Sequence, residues 1–418
     1  MSATLKSYEE AAAMVAEHAA RFAARLRTVE RVELNAAAGR ILAEPIVADR
    51  DLPPFARSTR DGYACRAAEA MRHGFLPVAG SVRAGGAVAG PLPAGAVWEI
   101  MTGAPVPQGA DAVAMLEHVE AAGGRIRLAD DRSIEAGENI VPRGGEAREG
   151  DELLATGTRI AHQQAALAAA CGFAKVQVFA KPRVAVLATG DELVPVDATP
   201  GPSQIRNSNG PMLAALVTAA GGKPMVLPRA ADEAEALDAA IEQAASAEML
   251  IVSGGVSAGK YDLVEEALAR ANAVFHFTGV RIQPGKPTVF GERPRGEGAE
   301  AGLQPFFGLP GNPISTAVTF QLFVTPVLAA LAGARHPAKR FALARLKKKC
   351  KGKPGLTRFV PAKCDFDPAD GEMPAVALVE WQGSGDLAAF ARSNCCLVVP
   401  DGREKLEEGE IVRILLTL

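Results

Sequence analysis

The sequence predicts an α/β fold built on a doubly wound, mostly parallel sheet, with β-rich regions before and after it in the chain. Three observations carry this reading. Between residues 181 and 333, short apolar runs alternate with helical patterns, as in strands joined by crossover helices. Residues 75–149 are rich in Gly, Pro, Val and Ala in short alternating runs, which reads as a small β domain. From 335 to 418 that alternation stops and short strands dominate, which reads as a small β barrel or sandwich.

Size and composition set the bounds. A chain of 418 residues suggests about three domains and can bury large cores. A formal net charge of −3 argues against a general nucleic-acid binder, and 3 tyrosines with 2 tryptophans give few stacking platforms. The first twenty residues carry acids and no long apolar core, so no signal peptide is expected. The run 313–334 is long enough to span a bilayer. It holds Ser315, Thr316, Thr319, Gln321 and Thr325, and Pro326 interrupts it, so a helix buried against a sheet is expected instead. The six cysteines form no C-x-x-C and the six histidines no H-x-x-x-H. No zinc site is therefore expected, and the thiols read as reduced and mostly buried in a cytoplasmic protein.

In chain order, residues 7–27 read as an amphipathic packing helix, with a Ser7/Glu10 capping box and Arg21, Arg25 and Arg27 at its end. Residues 28–50 read as a strand, a turn and an extended piece. At 51–64, Pro53-Pro54 forbids regular structure, and Ser58, Thr59, Arg60 and Asp61 crowd ahead of Gly62 on a stiff loop. Thr102 stands at a strand end before Gly103, forming a second rigid polar loop. Residues 139–160 are turns between extended pieces, and a helix with a solvated or packing His162 follows.

The strands expected next are 183–189, 224–227, 249–252, 273–277 and 305–309, with helices near 209–221, 234–246, 262–271 and 313–332. Residues 281–292, with Arg281 and Lys286, read as a stiffened loop, and 292–302 as a mobile tip. Arg345, Lys347, Lys348, Lys349, Lys351 and Lys353 read as a solvated, charge-protected edge. Residues 383–395 pair a glycine turn with Arg392 and Asn394.

The chain is organised around residues 249–268. The buried strand Met249 to Val252 stops at Ser253-Gly254-Gly255, where paired glycines let the backbone turn and approach a ligand. Asp262 with Glu265 then marks a helix start. Other strand ends carry Thr189-Gly190-Asp191-Glu192, then Arg229 to Asp232, then LPGNP at 309–313. There Asn312 is the expected cap and Pro313 the first helical residue. In such sheets the carboxyl ends of the strands share one crevice. That crevice would mix Asp191, Glu192, Asp232 and Asp262 with Lys260, Arg281, Lys286 and the backbone N–H groups near Gly254 and Gly311. Carboxylates beside a phosphate repel it unless a hard dication intervenes, so an enzyme using Mg²⁺ on a phosphate or phosphoanhydride is expected.

The motifs TRDGYA (59–64), IMTGAPVP (100–107), ATGDEL (188–193), IRNSN (205–209), VSGGVSAGKYD (252–262), QPGKP (283–287), GLPGNP (308–313) and GSGDLAAFAR (383–392) resemble the molybdopterin molybdenumtransferase family. This is the MoeA type, also found as the E domain of gephyrin. The resemblance covers nearly the whole chain. It implies insertion of molybdenum from molybdate into adenylylated molybdopterin, with AMP released and Mg²⁺ required. It also implies an elongated homodimer of four-part subunits. The parts would be a linker domain (28–50 and 150–180), a β-rich insertion domain (51–149), a molybdopterin-binding-like α/β domain (7–27 and 181–334) and a C-terminal β domain (335–418).

By motif position, Asp61, Thr102, Glu192, Asp232 and Asp262 would be catalytic, the first two reaching the cleft from the other subunit's insertion. Asp191, Glu192, Asp232 and Asp262 would hold metal. Thr189, Gly190, Ser253, Gly254, Gly255, Ser257, Lys260, Lys286, Pro310, Gly311, Asn312, Pro313, Ser384 and Arg392 would bind substrate. The chain departs from the pattern at Gln283, where a lysine is usual, at Arg60, at Asp232-Glu233 and at Cys395-Cys396. Two other readings stay open: a molybdopterin adenylyltransferase, which would also precede this enzyme in its pathway, and a non-enzymatic dimeric scaffold of the gephyrin type.

Overall fold

The computed structural model describes residues 5–24, 27–87, 90–255, 263–295, 302–335, 340–367 and 372–417. Its centre is a six-stranded sheet of β1 (Arg183–Ala188), β2 (Lys223–Val226), β3 (Met249–Ser253), β4 (Val274–Phe277), β5 (Val289–Arg295) and β6 (Gly302–Leu309). The spatial order is β2-β1-β3-β6-β5-β4. The first four in that order run parallel, and β5 is antiparallel to both β6 and β4. Every residue of β3 is buried, as a central strand covered on both faces requires.

The hairpin made by β5 corrects the sequence reading, which took 281–292 as a loop and 292–302 as a tip. Pro294, Glu292 and Arg293 disguise the strand. Their polar groups are nonetheless satisfied inside the fold. Arg293 is 3% exposed; its Nε donates to Gln304 Oε1 at 2.7 Å and its Nη2 to the Ile241 carbonyl at 2.7 Å. Gln304 Nε2 in turn donates to the carbonyls of Ala244 and Ala247. The hairpin therefore ties off the end of the helix Ala234–Ala244, whose last carbonyls have no helical partner.

One face of the sheet is covered by Tyr8–Ala23, Asn209–Ala219 and the long helix beginning at Pro313, which share a single apolar cluster. The other face is covered by Ala234–Ala244 and Leu263–Arg270. The capping box of Ser7 and Glu10 forms as expected. The stretch Pro313–Leu331 is apolar enough to cross a membrane, but 89% of it is buried inside the fold, so it is a core helix. Pro326 lacks the N–H that would reach the Leu322 carbonyl. The chain responds with a π turn at Phe320–Val324, where the N–H of Thr325 reaches the Phe320 carbonyl five residues back and its hydroxyl does the same at 3.3 Å.

Residues 62–128 form a six-stranded sheet around their own apolar clusters. Gly62 pairs so closely with the strand Ala112–Met115 that a Cβ there would lie 2.9 Å from the Ala114 carbonyl carbon. Val29–Glu33 pairs with Lys175–Phe179, with the helix His162–Ala170 in the same cluster. The last region is a closed barrel. Thr357–Asp365, Ala375–Leu378, Phe341–Leu346, Ile411–Leu416 and Cys395–Val399 pair in a ring. Phe341–Leu346 is paired on both sides, so Arg345 does not lie on an edge; Lys347, Lys348 and Lys349 follow on an exposed loop, and Lys351 lies in the short strand Cys350–Lys351, paired with Lys405–Leu406. All six cysteines are free and buried. Cys395 and Cys396 face opposite ways, one into the barrel core and one toward the sheet's apolar cluster.

Candidate active site

A crevice of about 720 Å³ opens at the carboxyl ends of β1, β3 and β6. Its floor is built from Thr189-Gly190, Ser253-Gly254-Gly255 and Pro310-Gly311-Asn312-Pro313. Glycine is required at the β3 turn: Gly254 has φ +93°, and a Cβ there would lie 2.7 Å from the Thr189 carbonyl oxygen. The turns also clasp one another through Gly254 N–H to the Leu309 carbonyl and Thr189 N–H to the Ser253 carbonyl, both at 3.1 Å. Three of the predicted loops thus meet as the parallel sheet dictates.

Asn209 locks them together, and sequence reasoning did not single it out. Its Nδ2 lies 2.8 Å from Ser253 Oγ and 2.7 Å from the Gly311 carbonyl, and reaches Thr316 Oγ1 at 3.4 Å. The available signal was the quoted IRNSN motif followed by a helix, which puts an amide at the helix start beside the crevice. Two buried polar atoms at this floor, Thr189 Oγ1 and Asn209 Oδ1, have no hydrogen-bond partner among the described residues. Buried groups of that kind are rare in a finished core and call for a partner.

The acids line one wall. Glu192 and Asp232 border the crevice, and Asp191, with 72% of its side chain exposed, stands beside them. Asp191 Oδ1 lies 3.4 Å from Arg229 Nη1 and accepts the Asp232 N–H at 3.4 Å. Arg229 also binds the Gly190 carbonyl at 3.0 Å. Burial raises the pKa of Asp232 above the usual carboxylate value, and the charges of Asp191 and then Glu192 add to the shift. Among the described residues, three acids stand here against two arginines, Arg229 and the lining Arg206, so negative charge is in excess by one.

Other predicted residues fall differently. Asn312 is the helix N-cap and Pro313 opens the helix, but the Asn312 side chain makes no capping bond. Lys286 is exposed and Pro287, next to it, is the lining residue. Ser384 receives the Ile314 N–H on its carbonyl at 3.0 Å, while Gly385 and Leu387 line the wall. Arg392 ends the helix Leu387–Arg392, exposed and away from the lining. Ser257, Lys260 and Asp262 lie outside the described residues. Asp61 and Thr102 do come together: Asp61 Oδ1 accepts the Thr102 N–H at 2.7 Å. Neither lines the crevice of its own chain.

An open α/β sheet with glycine turns meeting at one strand-end crevice is the class of fold that carries its ligand site at that crevice. Three family models match in sequence order: the MoeA N-terminal region (domain I and II) over 6–172, a probable molybdopterin binding domain over 185–330, and the MoeA C-terminal region (domain IV) over 343–417. The molybdopterin molybdenumtransferase of Bacillus subtilis (strain 168) is 35% identical over 395 residues, 93% of this chain and 89% of that one. The molybdopterin molybdenumtransferase of Nostoc sp. is 34% identical over 400 residues, 92% and 88% of the two chains. A solved molybdopterin biosynthesis MoeA protein of Pyrococcus horikoshii OT3 superposes with a TM-score of 0.79 at 28% identity, covering 99% of this chain and 100% of that one. The crystal structure of a molybdopterin biosynthesis MoeA protein from Pyrococcus horikosii gives a TM-score of 0.72 at 33% identity, covering 99% of each chain. The chain belongs to the molybdopterin molybdenumtransferase (MoeA) family.

Proposed function

We propose that this protein inserts molybdenum into molybdopterin in molybdenum cofactor biosynthesis, taking adenylylated molybdopterin and molybdate and releasing AMP. The observation that carries the reading is the crevice itself, with glycine turns and excess carboxylates at strand ends in a chain matched along nearly its whole length by the family. The glycine turns offer backbone N–H groups to phosphate oxygens, and the Thr189 hydroxyl and the Asn209 amide oxygen add polar partners. The matches on both flanks of the sheet domain favour this over adenylyl transfer, for which the sheet domain alone resembles the relatives.

Mg²⁺ fits the residues present. Burial first and the neighbouring carboxylates second raise the pKa of Asp232, and a hard dication uses oxygen donors of this kind. Among the described residues, Asp191, Glu192 and Asp232 do not bring three carboxylate oxygens within 4.8 Å. Mg²⁺ keeps several waters and takes one or two carboxylates directly, so the others of this set would hold it through those waters. Asp191, Glu192, Asp232 and Asp262 would hold it, and when bound it neutralises phosphate charge. Arg229 steadies Asp191 and the Gly190 turn. Asp61 and Thr102 would face the crevice of a second copy in a cytoplasmic homodimer, supplied by the adenylyltransferase that precedes it.

The test is incubation with adenylylated molybdopterin, Mg²⁺ and molybdate. AMP release that depends on molybdate is expected. Release that ignores molybdate rejects insertion, and no release under any condition favours the scaffold reading.

A further inference from the structure

We propose that His18, His276 and Glu292 form a second metal site that takes a zinc ion on three protein ligands, with a water in the fourth position, and clips the N-terminal helix to the edge of the sheet. His18 comes from Tyr8–Ala23, His276 from β4 and Glu292 from β5, and none of them lines the crevice. One donor atom from each lies within 4.8 Å of the other two. His18 Nδ1 contacts Glu292 Oε1, and His276 Nε2 is 3.3 Å from the same oxygen. Donors of a tetrahedral zinc site sit about 3.3 Å apart, the separation of His276 Nε2 and Glu292 Oε1, and the His18 imidazole would have to draw back from the carboxylate to admit the ion.

Two features separate this cluster from an ordinary buried ion pair. The first is a β-bulge. Phe275 packs on one face of the sheet and Phe277 on the other, with the register shift between them, at His276. A regular strand would put both on one face. The irregularity aims His276 at the helix side, which is a recognised use of bulges. The second is a vacancy in bonding: His276 Nε2 is buried and makes no well-directed hydrogen bond. The side chains of His18, His276 and Glu292 are only 10%, 17% and 6% exposed, so water does not readily serve them.

Two imidazoles and one carboxylate are borderline donors that suit zinc, whereas Mg²⁺ prefers oxygen alone. A dication on the single Glu292 charge leaves a net +1. Arg21, whose Nη2 contacts His18 Nδ1 and lies 3.2 Å from Glu292 Oε1, is the cation it would displace. Arg21 is free to leave, since 57% of its side chain is exposed. Spacing rules missed the site because its ligands lie far apart in sequence and meet only through the fold.

The test uses full-length protein stripped with a chelator and then equilibrated with Zn²⁺ or Co²⁺ in excess Mg²⁺. About one equivalent of zinc per chain is expected, with visible ligand-field bands for the cobalt form. His276→Ala and Glu292→Gln should lose that equivalent and those bands. Asp232→Asn should keep both, which excludes zinc held in the crevice. Arg21→Gln should bind zinc several-fold more tightly, because a competing charge is gone. If Glu292→Gln fails to fold, His276→Ala with unchanged circular dichroism decides. Unaltered zinc stoichiometry in His276→Ala, or no uptake by the stripped wild type, overturns the proposal and leaves a hydrogen-bonded core cluster only.

Discussion

The crevice and the Asp61–Thr102 corner both present acids on short, glycine-stiffened loops, yet their electrostatics differ. In the corner the Asp61 carboxylate accepts the Thr102 N–H and its backbone carbonyl accepts Leu116 N–H, so the local polar groups are matched within one chain. In the crevice Asp232 is held protonated to higher pH by burial and like charge, and Thr189 Oγ1 and Asn209 Oδ1 lack partners. The two halves thus differ in hydrogen-bonding demand, which is met within the chain at the corner and left open among the described residues at the crevice.

The sharpest way to break this contrast is Asp232→Asn. We expect molybdate-dependent AMP release to fall by about 10²-fold or more with the melting temperature nearly unchanged, because Asp232 is only partly desolvated, lies mostly at the surface and so adds little to stability. A destabilised but active variant would reverse the assignment. Next, co-expressing Asp61→Ala with Asp232→Asn tests whether the two halves meet across a dimer. Each mixed dimer would keep one intact site, so roughly a quarter of wild-type activity should return where neither parent is active. No return would place both residues in one subunit's site or remove Asp61 from the chemistry.

Asn209→Ala strips three contacts from the crevice floor. Urea unfolding should show a loss of about 1–3 kcal/mol together with weaker substrate binding. Gly254→Ala forces a side chain into φ +93° against the Thr189 carbonyl, for a loss of about 1–3 kcal/mol. Thr102→Val should be nearly silent in stability, within about 0.5 kcal/mol, since the Thr102 contact to Asp61 uses its backbone N–H.

Much of this was legible in the sequence because apolar runs and glycine turns report directly on a buried parallel sheet. The strands β1, β2, β3 and β6 and the helices at 209, 234, 263 and 313 fall within a few residues of the expected positions. The hairpin strand β5 was not legible, because Glu292 and Arg293 look like surface residues until Gln304 and helix carbonyls are brought to them. Asn209 was quoted within a motif but not as a site residue, since its three partners lie 44, 102 and 107 positions away. Local sequence reports propensity and turns; it does not report which distant carbonyl will be near. The barrel's closure, as against a sandwich, was hidden for the same reason.

The widened turn at Phe320–Val324 sets the angular phase of the helix that contains it. Upstream, Thr316 meets Asn209 under the ligand crevice; downstream, Val327 and Leu328 belong to the cluster that holds Tyr8–Ala23. Each residue advances a helix by about 100°, so deleting one residue between 320 and 324 would restore even winding and swing one half away from its neighbour. The bulge thus works as a spacer that lets one rod serve two differently oriented surfaces, and its length is as constrained as any side chain it positions.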